Sequence, residues 1–318
     1  MTTRAIIEPV PEGTERPRWS VMIPAYNCAA FLGETLRSVL AQAPGPERMQ
    51  IEVVDDASTD HVKTVVEDVG KGRVDYFRQE RNVGQVANFA TCLQQSRGEI
   101  VHLLHGDDTV FPGFYDALDQ GFGSDPGIGA AFCRWQTIDE RGKVTAVAEA
   151  ERETAGPLHD ALARLASEQR IVTPSIAVRR SAYERLGGFD PRLDCAEDWE
   201  MWVRIAARFR VWYEPRLLAS YRQHSSSTTA AHFRDASELR HTLSAIRLFK
   251  PLLPRERAQD ITRSARRAYA RTALGNAREF ARKHDAAAMR AHLAMALRFQ
   301  PSAPTLRDAL RILLGLDR

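Results

Sequence analysis

The sequence predicts an α/β fold: a mostly parallel central sheet flanked by helices, followed by a C-terminal helical extension. Over residues 19–104, short runs rich in β-branched residues alternate with segments of helical apolar spacing. Polar clusters follow the ends of three of these runs, and beyond residue 233 the spacing is helical to the end. Alternating strands and helices are typical of parallel βαβ units with both sheet faces covered.

The elements of the first half follow one another with short connections. Continuous apolar runs predict buried strands, and apolar residues three and four apart predict helices. Ser58 or Thr59 is expected to cap the second helix. The predicted strands are 19–24, 51–54, 74–77 and 100–104, and the predicted helices are 29–41, 58–69 and 84–95.

The rest of the chain is mixed and then helical. Strands are predicted at 128–135, 175–178, 210–213 and 217–221, and helices at 158–167 and 199–207. Four prolines separate about four helices in the tail: Pro251, Pro254, Pro301 and Pro304. We therefore expect a loose lead-in over residues 1–18, one domain over 19–232 and a helical region over 233–318. A Ser/Thr-rich loop at 225–229 is expected to be mobile and to close over a ligand.

Composition indicates a soluble globular protein of 318 residues, 44% of them hydrophobic and 27% charged. No segment has the apolar run of a signal peptide or a membrane span. The four cysteines form no CxxC pair and have no histidine at a zinc-site spacing, which predicts reduced thiols and a cytoplasmic location.

Charge is distributed unevenly. Residues 234–318 contain 18 Lys and Arg against 8 Asp and Glu, whereas residues 1–233 contain 26 against 33. The basic tail has two readings: ordinary helix packing with a solvated basic face, or peripheral contact with an anionic membrane. Nucleic acid binding is not expected, because the motifs of known nucleic-acid readers are absent.

Three polar clusters follow predicted strands: Pro24–Asn27, Asp55–Asp56 and Asp107–Asp108. Ligands of open parallel sheets bind at the carboxyl ends of the strands, so these clusters predict a nucleotide-type site. Adjacent carboxylates are costly unless a cation offsets them, and divalent metals prefer oxygen ligands. A solvated turn in which Asp108 caps the next helix is the alternative.

The motifs, taken in order, resemble those of the family 2 glycosyltransferases, a group of inverting enzymes with a Rossmann-like GT-A fold. No single motif is specific, but the ordered set is. The matching segments are Val21–Asn27, Val53–Asp60, Arg81–Gly84 with Asn88, Leu103–Asp108 followed by Pro112-Gly113, Gly187–Asp190, Ala196–Trp199 with Arg204, and Tyr221–His224.

The resemblance implies a nucleotide-sugar donor, most often a UDP-sugar, bound mainly by residues 19–112. The implied donor contacts are Pro24, Tyr26 and Asn27 beside the base and ribose, Asp55 and Asp56 as acceptors of hydrogen bonds from the base and ribose, and Arg81, Asn82, Gly84 and Asn88 near the base and diphosphate. Three of these residues have an alternative role: Tyr26 could be a packing residue, Asn88 could be a buried helix contact, and Asp56 could also organise the turn at Ser58.

The resemblance also implies a catalytic cation, Mn²⁺ or Mg²⁺. Asp107 matches the metal-binding acid of the Asp-x-Asp motif, and His105 stands where the first Asp is usual, which puts metal use in question. His224 matches a late histidine near the metal or diphosphate, and Arg222 is expected to contact phosphate.

Residues 113–232 are expected to hold the acceptor, and Asp198 matches the catalytic base. At a helix N-terminus its ionised form is favoured; its alternative role is a helix cap. Glu197 is expected to aid acceptor binding and Trp199 to stack on a sugar ring. The acceptor implied is a glycan or lipid-linked sugar in polysaccharide, O-antigen or glycolipid synthesis.

The sequence leaves two other functions open. A noncatalytic carbohydrate-binding or scaffold protein on the same fold is favoured only by His105. A sugar-nucleotide-modifying Rossmann enzyme is disfavoured, because no G-x-G-x-x-G follows the first strand.

Overall fold

The protein is described here from a computed structural model, which covers residues 3–224 and 232–316. The predicted loop at 225–229 lies outside the described residues. The strands are β1 (Trp19–Ala25), β2 (Met49–Asp55), β3 (Asp75–Arg78), β4 (Ile100–Leu103), β5 (Thr109–Val110), β6 (Ile128–Ile138), β7 (Val144–Val147), β8 (Gly156–Pro157), β9 (Ile176–Arg179) and β10 (Arg210–Arg222).

Helices occupy most of the remaining described chain. They are α1 (Ala29–Leu40), α2 (Val62–Gly70), α3 (Gln85–Gln95), α4 (Phe114–Ser124), α5 (Ala161–Ser167), α6 (Arg180–Leu186), α7 (Glu197–Ala206), α8 (Ser237–Phe249), α9 (Arg255–Arg282), α10 (Ala286–Phe299) and α11 (Ala303–Leu313). Short 3-10 turns occupy Thr173–Ser175 and Lys250–Leu252.

The strands form one sheet in the order β3-β2-β1-β4-β9-β6-β10-β5. β3, β2, β1 and β4 are parallel to one another, and β6 is parallel to β10. β9 joins the two groups by pairing antiparallel with both β4 and β6. The α/β fold with a parallel nucleus is thereby confirmed, and the carboxyl ends of β1, β2 and β4 share one edge of the sheet.

Burial explains why the first strands are nearly continuous apolar runs. Every residue of β1 and β2 is buried, because helices cover both faces of the sheet. The core of this region includes Val21, Ile23, Val53 and Leu36, none of which has exposed surface. A buried branched side chain of this kind stabilises the fold by about 1.5–3 kcal/mol.

Two predicted elements differ from the structure. β10 is one long strand rather than two, with register shifts between Glu214 and Ala219 that bend it against β6. α2 begins at Val62 rather than at Ser58, because the Ser58 hydroxyl is used elsewhere: it accepts a hydrogen bond from the Asn27 backbone N–H at 2.9 Å.

The lead-in is not loose over its described residues. Ile7 is buried, the Arg4 guanidinium lies 2.8 Å from the Asp190 carboxylate, and the Ala5 carbonyl accepts from Gly188 N–H at 2.8 Å. Arg16 donates to the carbonyl of Arg97 at 2.9 Å. The local sequence lacks periodicity, so these long-range contacts could not be read from it.

The chain divides into two compact units. The first comprises residues 3–161, 170–192 and 204–223, and the second comprises 162–169, 193–203, 224 and 232–316. The second unit therefore adds α5 and the start of α7 to the helical tail. No helix in the described ranges combines the length and the apolar character needed to cross a bilayer.

His102 is a buried, neutral imidazole in the middle of β4. Its ring nitrogens lie 3.2 Å from the Tyr115 hydroxyl and 3.1 Å from the Pro174 carbonyl, and Phe114 stacks on its face. Burial lowers the pKa of His102 to about 3, well below the ordinary value near 6.5.

This pKa shift predicts a loss of stability in acid. Above pH 6.5 the imidazole is neutral in both states; as the pH falls from 6.5 towards 3, only the unfolded chain gains the proton. The contribution of His102 to the free energy of unfolding should therefore fall by about 2 kcal/mol between pH 7 and pH 5. Urea unfolding at both pH values should show a smaller pH difference in His102→Gln than in the exposed control His159→Gln. Equal differences in the two variants would contradict the assignment.

Candidate active site

Backbone hydrogen bonds hold together the loops that follow β1, β2 and β4. The Ala25 carbonyl accepts from Asp56 N–H at 2.8 Å, and the Pro24 carbonyl accepts from Gly106 N–H at 3.2 Å. A Cβ on Gly106 would lie 2.5 Å from the Cys28 sulfur, so any larger residue there would force the Cys28 side chain to move. The predicted convergence of the three polar clusters is therefore present in the fold.

The Asp55 carboxylate stabilises the loop from inside and is not available at the surface. Its carboxylate has no exposed area and accepts hydrogen bonds from Ser58 N–H at 3.0 Å, the Tyr76 hydroxyl at 2.6 Å and the Arg78 guanidinium. Arg78 also donates to the Ser58 carbonyl at 2.9 Å. The predicted direct contact of Asp55 with base or ribose is not supported in this conformation, because its oxygens face internal donors.

Asp56 fixes the segment that precedes α3. One carboxylate oxygen accepts from Val83 N–H at 2.7 Å and the other from Gly84 N–H at 3.0 Å. Gly84 has a φ of +87°, and a Cβ there would have no neighbour within 4 Å, so its backbone conformation is the reason for glycine. The turn at Ser58 is organised by Asp55, not by Asp56 as the sequence suggested.

Four of the predicted donor residues leave surface available. Tyr26 is 52% exposed, and Asn27, Arg81 and Asn82 are also exposed. The Asn27 side-chain oxygen accepts from Thr59 N–H at 2.8 Å, which holds the backbone at a φ of +50°. An exposed tyrosine beside this pinned turn is suited to stacking on a nucleobase.

Asn88 and Pro24 are structural in this conformation. The Asn88 amide is buried, donates to the Val54 carbonyl at 2.8 Å and accepts from Gln79 at 3.2 Å. Pro24 is buried within β1. For Asn88, the alternative of a buried helix contact matches the geometry, and a contact with the donor diphosphate does not.

His105, Asp107 and Asp108 form a group of potential metal ligands after β4. One ligand atom from each lies within 4.8 Å of the others, and His105 Nδ1 is 3.7 Å from an Asp108 oxygen. The ring of Phe89 stacks on His105 with centroids 5.3 Å apart. His105 Nε2 and Asp108 Oδ2 are buried and have no hydrogen-bond partner among the described residues.

Electrostatics within this group favour a bound cation. Burial raises the pKa of Asp108 well above its usual value, and the charge of Asp107 adds to the rise. Burial lowers the pKa of His105, which leaves the neutral imidazole that metals bind. Two unpartnered buried atoms and an oxygen-rich donor set therefore fit a divalent metal ion, although a histidine ligand is softer than the usual aspartate.

Arg222 builds the metal-ligand loop and is not placed to contact phosphate. The side chain is buried: it donates to the Asp107 carbonyl at 2.9 Å and pairs with Glu34 at 2.5 Å. Its backbone N–H donates to Asp108 Oδ1 at 2.8 Å, and its guanidinium lies over the Phe31 ring. The phosphate role predicted for Arg222 is wrong for this conformation, because its donors are used inside the protein.

Asp198 lies in the first turn of α7, within the second unit. One carboxylate oxygen is 2.6 Å from Trp199 N–H and the other accepts from Gln169 at 2.8 Å. Asp198 is partly exposed, whereas Glu197 is buried. The two oxygens are thus oriented by fixed donors, an arrangement that suits a positioned base and also satisfies the helix end.

Trp199 cannot stack on a sugar in this conformation. The residue is 1% exposed, its indole N–H donates to the Leu165 carbonyl at 2.6 Å, and the rings of Phe249 and Tyr269 pack against it. The predicted acceptor role of Trp199 is therefore wrong: the side chain is core. His224 is described, but it is not among the residues of the metal-ligand group.

Sequence reasoning missed several residues that shape the site. Asp60 ends the second motif and accepts from Ala29 N–H at 2.8 Å, so it caps α1 from another loop. Arg78 and Glu34 were missed because their partners are distant in sequence. Of these three residues, only Asp60 has a local sequence pattern that could have indicated its capping role, since it follows Ser58 and Thr59 in a turn-forming segment.

Comparison with known proteins identifies the family of the chain. The family model described as Glycosyl transferase family 2 matches residues 20–187. An uncharacterized protein of Mycobacterium tuberculosis is 31% identical over 226 residues, covering 67% of this chain and 69% of the relative. An uncharacterized glycosyltransferase of Rickettsia typhi is 23% identical over 227 residues, covering 69% of this chain and 68% of the relative.

Solved structures share the fold. Staphylococcus aureus TarS, in complex with UDP-GlcNAc, aligns with a TM-score of 0.62 at 16% identity over 90% of this chain and 92% of that chain. The Pyrobaculum calidifontis mannosyltransferase, in complex with GDP-Man and Mn²⁺, aligns with a TM-score of 0.58 at 22% identity over 98% of this chain and 84% of that chain. The fold is therefore GT-A, and the chain belongs to glycosyl transferase family 2.

Proposed function

We propose that this glycosyltransferase is metal-dependent and transfers its sugar with inversion from a UDP-sugar to a hydroxyl of a glycan or lipid-linked acceptor. The observation that carries the proposal is the group formed by His105, Asp107 and Asp108, in which two buried ligand atoms lack a hydrogen-bond partner within the described part of the chain. The fold is shared with TarS, solved in complex with UDP-GlcNAc, and with a mannosyltransferase solved in complex with GDP-Man and Mn²⁺, which supports a nucleotide-sugar donor and a divalent cation for this chain.

The proposed contacts with the nucleotide-sugar donor are assigned to residues whose side chains are exposed. Tyr26 offers its ring to the base, Asn27 borders the ribose, and Arg81 and Asn82 lie exposed on the segment that Asp56 pins. Mn²⁺ or Mg²⁺, when held by Asp107 with His105 and Asp108, would offset the charge of the departing diphosphate. His224 stays a further candidate ligand or diphosphate contact.

Asp198 is proposed as the general base. A carboxylate can take the proton from the acceptor hydroxyl as that oxygen attacks the anomeric carbon, and its two fixed donors hold it in one orientation. A single base with no enzyme nucleophile corresponds to one displacement, which inverts the anomeric centre. Glu197 is proposed to help orient the acceptor.

A nucleotide-sugar panel tests the donor class. With Mn²⁺ present, we expect UDP-sugars to raise the melting temperature more than GDP- or dTDP-sugars, because a ligand bound only by the native state stabilises it. Chelation by EDTA should remove most of the increase. A larger response to GDP-sugars would contradict the UDP assignment, and a response unchanged by EDTA would contradict metal dependence. Donor hydrolysis in the same samples separates an enzyme from the noncatalytic alternative that His105 favours.

The location is proposed to be cytoplasmic, with peripheral contact at the inner face of the membrane through the C-terminal helices. α11 buries Ala309 and Ile312 but exposes a row of leucines beside Arg307 and Arg311. Apolar residues next to basic ones are typical of helices that lie on anionic bilayers. The exposed leucines are Leu306, Leu310, Leu313, Leu314 and Leu316, each 47–68% exposed.

Vesicle flotation tests this contact. We expect the protein to float with vesicles containing anionic lipid, and replacement of Leu306 and Leu310 by serine to reduce the bound fraction by at least about fivefold, because about 0.8 kcal/mol is lost per buried CH₂ group removed. Serine at Val144 and Val147, which are exposed on β7, is the matched control and should change little. Equal recovery with neutral and anionic vesicles would rule out the charge-dependent contact.

A further inference from the structure

We propose that the second unit contains a binding site for a phosphate group, in the cleft between α9 and the end of α10. The cleft has a volume of about 370 Å³. Four of its lining residues are cationic, and no Asp or Glu lines it in the described part of the chain. The cations are Lys250, Arg263, Arg266 and Arg267. The inference does not depend on the proposed donor, metal or base.

Two of the four cationic side chains already bind groups of the protein. The Arg266 Nε donates to the Phe299 carbonyl at 2.7 Å and its Nη2 donates to the Arg298 carbonyl at 2.6 Å, so Arg266 closes the C-terminus of α10. Arg263 pairs with exposed Asp260 at 3.0 Å. These contacts hold the wall of the cleft in place and do not involve the other two cations, Lys250 and Arg267.

Lys250 and Arg267 supply the available charge. Neither side chain has a hydrogen bond or an ion pair with any residue of the ranges 3–224 and 232–316, and both residues are exposed. Two cations at one concavity repel each other, and an anion between them removes that cost. A phosphate monoester carries about 1.5 to 2 negative charges near neutral pH, which matches two cations better than the single charge of a carboxylate does.

The remaining lining fits the same ligand. The amides of Gln259 and Gln300 can donate to phosphate oxygens, and buried Phe299 gives the cleft a rigid wall. A guanidinium can bind two phosphate oxygens at once, whereas an ammonium acts as a point charge. The phosphate could belong to a lipid headgroup or to a soluble phosphorylated molecule.

The test measures binding of inorganic diphosphate and phosphate to the full chain by calorimetry in EDTA. We expect the wild type to bind, and the double variant Lys250→Gln, Arg267→Gln to bind at least about tenfold more weakly, because each lost contact is a charge-assisted hydrogen bond. Arg282→Gln is the matched control: Arg282 is exposed on the same helix, about 22 Å farther along at 1.5 Å per residue, and should change affinity less than about twofold. The donor-site residues are identical in all three proteins, so failure here is distinguishable from failure of the proposed function.

Vesicles separate the two sources of the phosphate. Neutral vesicles are compared with vesicles that contain phosphatidic acid. Loss of binding to phosphatidic acid in the double variant, with little effect of soluble phosphate as competitor, supports a lipid headgroup; full competition by soluble diphosphate supports a soluble ligand. The proposal is overturned if the wild type binds none of these probes. It is equally overturned if Arg282→Gln weakens binding as much as the double variant does, since the effect would then be general charge.

Discussion

Replacing Asp198 with asparagine is expected to lower the rate of sugar transfer by about 1,000-fold, within the range of 10² to 10⁴ typical of a positioned general base. An amide cannot accept the proton of the acceptor hydroxyl, yet it has the size and shape of the carboxylate. Donor affinity should stay within about twofold, because the base acts on the acceptor. The rate is measured as release of nucleoside diphosphate and formation of product at saturating donor.

The local structure of Asp198 sets a further expectation. Both oxygens accept from fixed donors, Trp199 N–H and the Gln169 amide, and an asparagine side chain can satisfy only one of them unless Gln169 turns its amide. A loss of about 1 kcal/mol in the free energy of unfolding should therefore accompany the loss of activity.

A matched acid controls for charge. Asp194 lies shortly before α7, and its side chain is 70% exposed beside His241. Asp194→Asn removes the same charge and should change the rate less than about threefold, as expected for an exposed pair. If Asp198→Asn releases nucleoside diphosphate as fast as wild type, Asp198 is a helix cap and another group is the base.

Replacing Asp107 with asparagine is expected to abolish most of the gain in nucleotide affinity that Mn²⁺ produces, a loss of about 10- to 100-fold. Asp107 is a half-buried member of the ligand group, and an amide oxygen is a much weaker ligand for a hard cation than a carboxylate oxygen is. The affinity for the nucleotide measured in EDTA should be unchanged, because the proposed contacts with the nucleobase and the ribose do not involve Asp107. Titration of nucleotide with and without Mn²⁺ measures both quantities.

Two further variants sharpen this test. Asp116→Asn, in the first turn of α4, removes an exposed acid nearby in the chain and should leave the Mn²⁺ effect intact. His105→Asp restores the usual first acid and should tighten Mn²⁺ binding, since an anionic oxygen replaces a neutral nitrogen. A Mn²⁺ effect that persists in Asp107→Asn would show that the cation is held elsewhere or is not used.

The positions of the strands and of the polar clusters were predictable from sequence. Buried strands are continuous apolar runs whatever their partners, and parallel strands place their carboxyl ends at one edge. The sequence alone therefore predicts that Asp107 and Tyr26 lie at that edge. Family resemblance added the assignments that pattern alone cannot make, such as Asp198 as base.

The partners of individual side chains were not predictable. Arg222 was expected to contact phosphate, but it binds the Asp107 carbonyl and Glu34, which lie 115 and 188 residues away in sequence. Trp199 follows two acids and looked like a surface platform, yet it is packed against Phe249 and Tyr269. Such roles depend on which distant segments meet, and local spacing carries no information about that.

The fold class and the edge of the sheet at which the polar clusters meet follow from the sequence alone, and the ordered motifs give the family. The reason is that hydrophobic periodicity and strand-end chemistry are local properties. Three features depend on long-range contacts and become visible only in the folded chain. Asp55 and Asp56 accept hydrogen bonds from loop N–H groups, and the lead-in packs against the rest of the first unit. His105 and Asp108 each have a buried atom with no hydrogen-bond partner among the residues that the structure describes. Whether a polar group contacts a ligand or stabilises the fold depends on its burial and its hydrogen-bond partners, which exist only once the chain has folded.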